Sequence, residues 1–101
     1  MEEIIMNLIM YSGEARSYAM EAMQAAKEGK IDEARELLGK ATAQLTEAHH
    51  SQTKLIQGEA AGNKTEVSLL LVHAQDHLMT TMTLKDIAAE IIDIREQLLN
   101  K

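Results

Sequence analysis

The chain has 101 residues and a formal net charge of −6 at pH 7, and it contains no cysteine, proline, tryptophan or phenylalanine. Without cysteine there are no disulfides, no thiolate catalysis and no thiolate metal site, and the acidic balance argues against a nucleic-acid partner, which would need a basic face. No apolar run reaches the roughly 18 residues of a membrane span, and no signal-peptide pattern opens the chain. We therefore expect one cytoplasmic domain, residues 1–101, without direct membrane insertion.

Many strong helix formers and a core of small aliphatic residues predict an all-α chain. Alanine-rich cores bury little area per residue, which favours oligomerisation as a second source of burial. The first predicted helix runs from about Glu2 to Glu28, followed by Gly29 in a position typical of the residue after a helix end. Gly13 lies inside this helix, where glycine costs about 1 kcal/mol relative to alanine. We expect it to permit a close contact with another helix.

The second predicted helix begins at Asp32, a natural N-cap residue, and runs to Gln57, where Gly58 ends it. Its apolar stripe includes two polar residues, His49 and Gln52. A histidine on such a stripe is more often a core or interface residue than a catalytic one, and this is the expectation for His49.

Residues 58–64 have the composition of a loop. They contain no Gly-Lys-Ser/Thr sequence and follow no strand, so a phosphate-binding loop is not supported. Thr65 is the expected N-cap of a third helix that runs to about Leu99. Three long helices with short connections predict an antiparallel, up-down-up three-helix bundle.

The third helix has an apolar stripe with polar residues in its middle. At roughly 100° per residue, six aliphatic residues lie within about 60° of His73 and are expected to be buried: Leu69, Leu84, Ile87, Ile91, Ile94 and Leu98. Asp76, His77 and Thr80 lie on the same stripe. Burying a carboxylate and two imidazoles costs several kcal/mol unless they are paired, protonated or bound to something. This stretch is therefore the candidate functional site.

The residue types leave more than one role open. An imidazole at His73 is a possible nucleophile towards phosphorus, and His77, one turn on, could donate a hydrogen bond to a group attached to it. Buried histidines could instead only fix the register of a helical adaptor. Asp76 has no cation on its own stripe: three copies at a threefold axis could share a hard divalent ion, or the carboxylate could orient His73 or His77 within one chain. Gln75 lies about 160° from the centre of the stripe.

Residues 69–80 read LLLVHAQDHLMT, which resembles the phosphorylation-site segment of the lactose/cellobiose-type IIA proteins of the bacterial phosphoenolpyruvate-dependent sugar phosphotransferase system. The resemblance extends to four other segments: MEEII at 1–5, SGEARS at 12–17, EAH at 47–49 and QTKLI at 52–56. A run of twelve residues with two histidines and an aspartate is far more specific than an isolated His-x-x-Asp.

The resemblance implies a homotrimer, in effect a nine-helix bundle, that carries phosphate. HPr would phosphorylate His73, and the phosphoryl group would pass to a cysteine of a IIB component during uptake of a β-linked disaccharide such as cellobiose, chitobiose or lactose. It also implies that Gln75 lies near the phosphoryl group and that Asp76 binds one divalent metal per trimer at the symmetry axis, with magnesium the expected ion. The competing hypotheses are a non-enzymatic helical adaptor and a histidine-phosphotransfer domain of two-component signalling, which is usually a four-helix bundle.

Overall fold

Residues 2–101, which the computed structural model describes, form three long helices and no strand. Helix α1 spans Glu2–Lys27, α2 spans Ile31–Ala60 and α3 spans Leu69–Leu99. Together they make a bundle measuring 56 × 19 × 17 Å. The predicted all-α, three-helix architecture is confirmed, whereas the homotrimer remains a prediction. Across residues 2–101, the helices lack an apolar stretch long enough to cross a membrane.

The core is built mainly from alanine, and α1 packs more extensively against α2 and α3 than these pack against each other. Small side chains allow helix axes to approach closely, so each contact buries little area but leaves few voids. The largest fully buried apolar side chains are Leu8 on α1 and Leu78 and Ile92 on α3. Burial of each contributes about 1.5–3 kcal/mol.

The connection between α1 and α2 is a glycine turn. Gly29 adopts φ 80°, its N–H donates to the carbonyl of Ala26 (3.0 Å), and the N–H of Lys30 donates to the carbonyl of Ala25 (2.9 Å). This pair of bonds is a Schellman motif, which satisfies the last carbonyls of α1. The prediction for Gly29 is confirmed, with the helix ending at Lys27 rather than Glu28.

The prediction of Asp32 as the N-cap of α2 is wrong. The glycine turn leads directly into α2, so Lys30 holds the N-cap position without a side-chain cap, and Asp32 already lies in the first helical turn. There its carboxylate still interacts favourably with the positive end of the helix dipole.

Helix α2 continues three residues beyond the predicted end at Gln57, because Gly58 adopts a helical conformation. The left-handed residue is instead Gly62, with φ 95°, and the N–H of Asn63 donates to the carbonyl of Gly58 at 2.9 Å. A second Schellman motif therefore ends this helix.

Helix α3 begins later than predicted. Its N-cap is Ser68, whose Oγ accepts a hydrogen bond from the backbone N–H of Leu71 at 3.1 Å. The prediction of Thr65 as the cap is wrong, because Thr65 precedes the first turn by too many residues to reach a free N–H there.

Helix α3 also buries a different face from the one predicted. The residues that pack inside the bundle lie on one side of the helix and include both small and large side chains: Leu71, Ala74, Leu78, Thr81, Ala88 and Ile92. This face is centred roughly 120° from the stripe around His73, at 100° per residue. Within one chain, most of the large aliphatic side chains of that stripe are exposed, including Leu69 (85%), Ile94 (56%), Leu98 (55%) and Ile87 (50%). The expectation that the stripe is buried is therefore wrong for the single chain.

Polar contacts lie at the end of α3 that is far from the histidines. Arg35 of α2 donates to Glu96 (2.7 Å) and Asp93 (3.1 Å) of α3. The hydrogen bonds to Glu96 and then Asp93 raise the pKa of the Arg35 guanidinium. Arg95 donates to the carbonyls of Ala26 and Lys27 at the end of α1. Exposed ion pairs add little stability, so these contacts join α3 to the other two helices without setting how it packs.

Candidate functional site

The two histidines of α3 lie one above the other. The imidazole centroids of His73 and His77 are 6.0 Å apart and their planes differ by 8°. Residues four apart on a helix are direct neighbours, and both rings therefore project from the same side of α3. His73 is exposed and His77 is partly buried. The pair thus offers one ring to a second molecule and keeps the other beside it.

His77 also faces α1 at Gly13. A Cβ atom built on Gly13 would lie 3.6 Å from Nε2 of His77. The close backbone contact with another helix that was expected at Gly13 is therefore not observed, and the nearest group is this imidazole.

Gln75 is turned away from the histidines, towards α2. Nε2 of Gln52 donates to Oε1 of Gln75 at 2.7 Å in a partly buried hydrogen bond, and also approaches Sδ of Met79 at 3.9 Å. Within one chain the structure therefore does not bring Gln75 beside His73, in agreement with its angular position on the helix. Gln52 was not among the predicted site residues, although its place on the apolar stripe of α2 was a sequence signal for such a contact.

Asp76 is exposed, and within residues 2–101 its carboxylate makes no ion pair and no hydrogen bond to either histidine. The neighbouring Thr80 hydroxyl donates only to the backbone carbonyls of Asp76 (2.9 Å) and His77 (3.3 Å). No group of three or more His, Cys, Asp or Glu in the described part of the chain could hold a metal ion. One chain thus presents a single exposed carboxylate at this point of the stripe.

His49 is exposed, so of the two positions expected for it the core position is wrong, whereas an interface position stays a prediction. The inner face of α2 passes through Ala48, and the next residue projects about 100° further round the helix. His49 lines a shallow depression between α2 and α3 with His50, Met82 and Asp86 among its other walls. It is not part of the site around His73.

The site lies within an apolar surface. His73, Asp76 and Thr80 are exposed along the same line of α3 as Leu69, Ile87 and Ile94. Monomeric soluble proteins rarely expose contiguous apolar patches larger than a few hundred Å². The fold and the site together define a small all-helical protein that presents a histidine pair, set in an apolar helix face, to other molecules.

Comparison with known proteins identifies the family. Residues 3–96 match the family described as PTS system, Lactose/Cellobiose specific IIA subunit. The chain is 57% identical over 98 residues to the lichenan-specific phosphotransferase enzyme IIA component of Bacillus subtilis, which covers 97% of this chain and 89% of that protein. This chain therefore belongs to the lactose/cellobiose-specific IIA family of the sugar phosphotransferase system.

Solved structures agree with this assignment. The cellobiose-specific enzyme IIA of Bacillus anthracis superposes with a TM-score of 0.96 at 57% identity, over 99% of this chain and 92% of that one. The IIA subunit in the IIA(chitobiose)–HPr complex of Escherichia coli superposes with a TM-score of 0.83 at 46% identity, over 96% of this chain and 94% of that one. The resemblance seen in the sequence is thus confirmed at the level of family and fold.

Proposed function

We propose that this IIA component is a cytoplasmic phosphoryl carrier that uses His73 as its acceptor. It takes a phosphoryl group from HPr and passes it to a cysteine of a IIB component during uptake of a β-linked disaccharide. The observation that carries the proposal is the exposed imidazole of His73, stacked at 6.0 Å on that of His77. The relative solved in complex with HPr supports the choice of donor.

In the first step a nitrogen of the neutral His73 imidazole attacks phosphorus while the N–P bond to the histidine of HPr breaks. In the second step the thiolate of the IIB cysteine attacks and the N–P bond to His73 breaks. His77 is assigned a hydrogen bond to a phosphoryl oxygen, which strengthens because the acceptor is charged. The amide of Gln75 is a third candidate contact, and because it faces α2 in one chain it would have to reach a phosphoryl group held by a neighbouring copy.

We further propose that the chain works as a homotrimer in which three copies of α3 meet along the stripe around His73. The exposure of Leu69, Ile87, Ile94 and Leu98 supports this, since an apolar face of this length is stabilised by covering it. Three copies would give the nine-helix bundle implied by the family resemblance.

At the axis of such a trimer, the three copies of Asp76 would hold one divalent ion. Carboxylate oxygens completed by water are the ligands that magnesium prefers, and the exposed, unpaired position of Asp76 in the described residues fits this donor set. Such an ion would supply charge neutralisation between the three carboxylates, which cannot all remain ionised in contact without it.

The decisive experiment is phosphorylation by purified HPr in the presence of phosphoenolpyruvate and enzyme I. Wild type should acquire acid-labile, base-stable phosphate. His73→Ala should fold but lose roughly 95% or more of the label, because the nucleophile has been removed. His50→Ala, which removes another exposed histidine on α2, is the matched control and should label normally.

Labelling of His73→Ala to wild-type stoichiometry would place the acceptor at another histidine. No labelling of wild type by HPr would favour the adaptor or the two-component phosphotransfer domain over the carrier.

A further inference from the structure

We propose that Gly13 is a positioning residue for phosphoryl transfer: because it has no side chain, it leaves Nε2 of His77 free to donate to the phosphoryl group on His73. The inference rests on the proposed carrier function and adds a residue of α1 to the site. It starts from the contact between the two helices, where a Cβ atom on Gly13 would meet Nε2 of His77 at 3.6 Å.

Backbone conformation does not require glycine at this position. Within residues 2–101 the glycines with positive φ are Gly29 and Gly62, whereas Gly13 lies in the interior of α1 with a helical conformation. Glycine is among the poorest helix formers, so at Gly13 it lowers the stability of α1 relative to alanine. A residue that carries this cost without a conformational need is expected to have another use.

Packing does not require glycine at Gly13 either. Apart from its own helix and chain neighbours, Nε2 of His77 is the only heavy atom of the described chain within 4 Å of the added Cβ, at an ordinary van der Waals separation of 3.6 Å. An alanine methyl would therefore fit without forcing the helices apart. What it would change is the surroundings of one nitrogen atom.

That nitrogen is a polar atom with a proposed function. An oxygen that accepts a hydrogen bond from Nε2 must lie about 2.7–3.1 Å from it. A methyl group in contact with Nε2 would occupy that approach and would exclude both water and a phosphoryl oxygen from it. His77 is already partly buried, with the parallel ring of His73 beside it. A methyl on Gly13 would therefore reduce the remaining access to Nε2.

The space beside Gly13 is open. Ile9, Met10, Glu14, Ser17 and Tyr18 surround Gly13 in a shallow depression on the surface of α1. Among the described residues, the chain neighbours of Gly13 apart, no other side chain lies within 4 Å of the place that the missing methyl would occupy, so the gap between Gly13 and Nε2 of His77 is not filled. Gly13 thus keeps Nε2 of His77 accessible to the phosphoryl group on His73.

The test is Gly13→Ala, with Gly39→Ala as the matched control. Gly39 also lies inside a helix, and a Cβ atom there would meet nothing within 4 Å. Both variants should raise Tm by about 4 °C, because alanine is the better helix former. Only Gly13→Ala should slow transfer from phosphorylated HPr at saturating donor, by about tenfold, and shorten the lifetime of the phosphohistidine, since a charge-assisted hydrogen bond is lost.

A double-mutant cycle shows whether Gly13 acts through His77. In a His77→Ala background, Gly13→Ala should have no further effect on the rate of transfer, because the nitrogen that the methyl covers is gone. Three results would overturn the inference. Gly13→Ala could transfer phosphate at the wild-type rate, or its effect could be undiminished in the His77→Ala background. It could also lower Tm, which would indicate a packing role. If wild type and Gly39→Ala both fail to be labelled by HPr, the carrier function itself is wrong and the inference fails with it.

Discussion

At the scale of single residues, the surroundings of His77 differ from those of His73. His77 stacks on His73 along α3 and faces Gly13 across the gap to α1. His73 has only the first of these constraints and is exposed. This difference fits two roles, one imidazole that reacts with a partner and one that is held in place to contact the product.

Replacing His77 by alanine should separate these roles. The variant should still be phosphorylated by HPr, because the proposed nucleophile remains, but transfer should be slower or the phosphate lost faster. A charge-assisted hydrogen bond contributes about 1.5–3 kcal/mol, so we expect a change of about tenfold to a hundredfold. Rapid-quench kinetics with HPr and with IIB would measure it. Unchanged kinetics in both directions would reduce His77 to a structural residue.

At the scale of the helices, the ends of the elements are set by a few turn and cap residues. Gly29 and Gly62 end α1 and α2 through their left-handed conformation, and Ser68 begins α3 through its hydroxyl. The last of these matters for function because α3 carries the site, and its first turn lies just before His73. A frayed N-terminus of α3 would loosen the chain next to His73, the proposed nucleophile.

The serine cap is tested by Ser68→Ala. Loss of the hydrogen bond from the N–H of Leu71 should cost about 1 kcal/mol, which lowers Tm by about 4–8 °C in a domain of this size. Thr65→Ala is the control, since Thr65 lies outside the helix, and it should leave Tm nearly unchanged. Thermal unfolding followed by circular dichroism measures both. An equal loss for Thr65→Ala would mean that α3 begins earlier than the structure has it.

At the scale of the whole molecule, α3 has a packed face and an exposed apolar face. One packs on α1 and α2 through small residues such as Ala74 and Ala88, and the other exposes large aliphatic residues with Asp76 between them. In the proposed trimer the second face is covered by two further copies. Asp76 would then be the one carboxylate on that face at the axis, so its removal tests both the assembly and the metal.

Asp76→Leu should leave the trimer intact, abolish divalent metal binding and melt no lower than wild type in EDTA. Exchange of buried charges for apolar residues is often neutral or stabilising, because the desolvation and repulsion of the carboxylates are removed together. Analytical ultracentrifugation gives the oligomeric state, and elemental analysis the metal content. Asp86→Leu, ten residues further along α3 and about 80° round the helix from Asp76, should bind metal as wild type does.

The proposal would be contradicted if the wild-type trimer contained no metal and the Asp76→Leu variant dissociated into monomers. The carboxylate would then stabilise the assembly through contacts other than a shared ion.

The sequence by itself determined the helical class, the three-helix order and the family, because these depend on periodic patterns and on a twelve-residue motif that need no partner to be recognised. It also placed His73 and His77 together, since a spacing of four residues makes neighbours on any helix. The cap residues were less predictable. Asp32 and Thr65 are good N-cap residues by type, but the turns that precede α2 and α3 place Lys30 and Ser68 at the N-cap positions.

Only the tertiary structure decided which face of α3 the bundle uses. The stripe around His73 is the more hydrophobic by residue type, yet α3 packs through the face of Ala74, Leu78 and Ala88, where small residues between the large ones let it approach alanine-lined α1 closely. The contacts of Gln75 with Gln52 and of His77 with Gly13 join different helices. Periodicity describes one helix at a time, and the rotation of each helix about its axis is fixed only by packing against its neighbours.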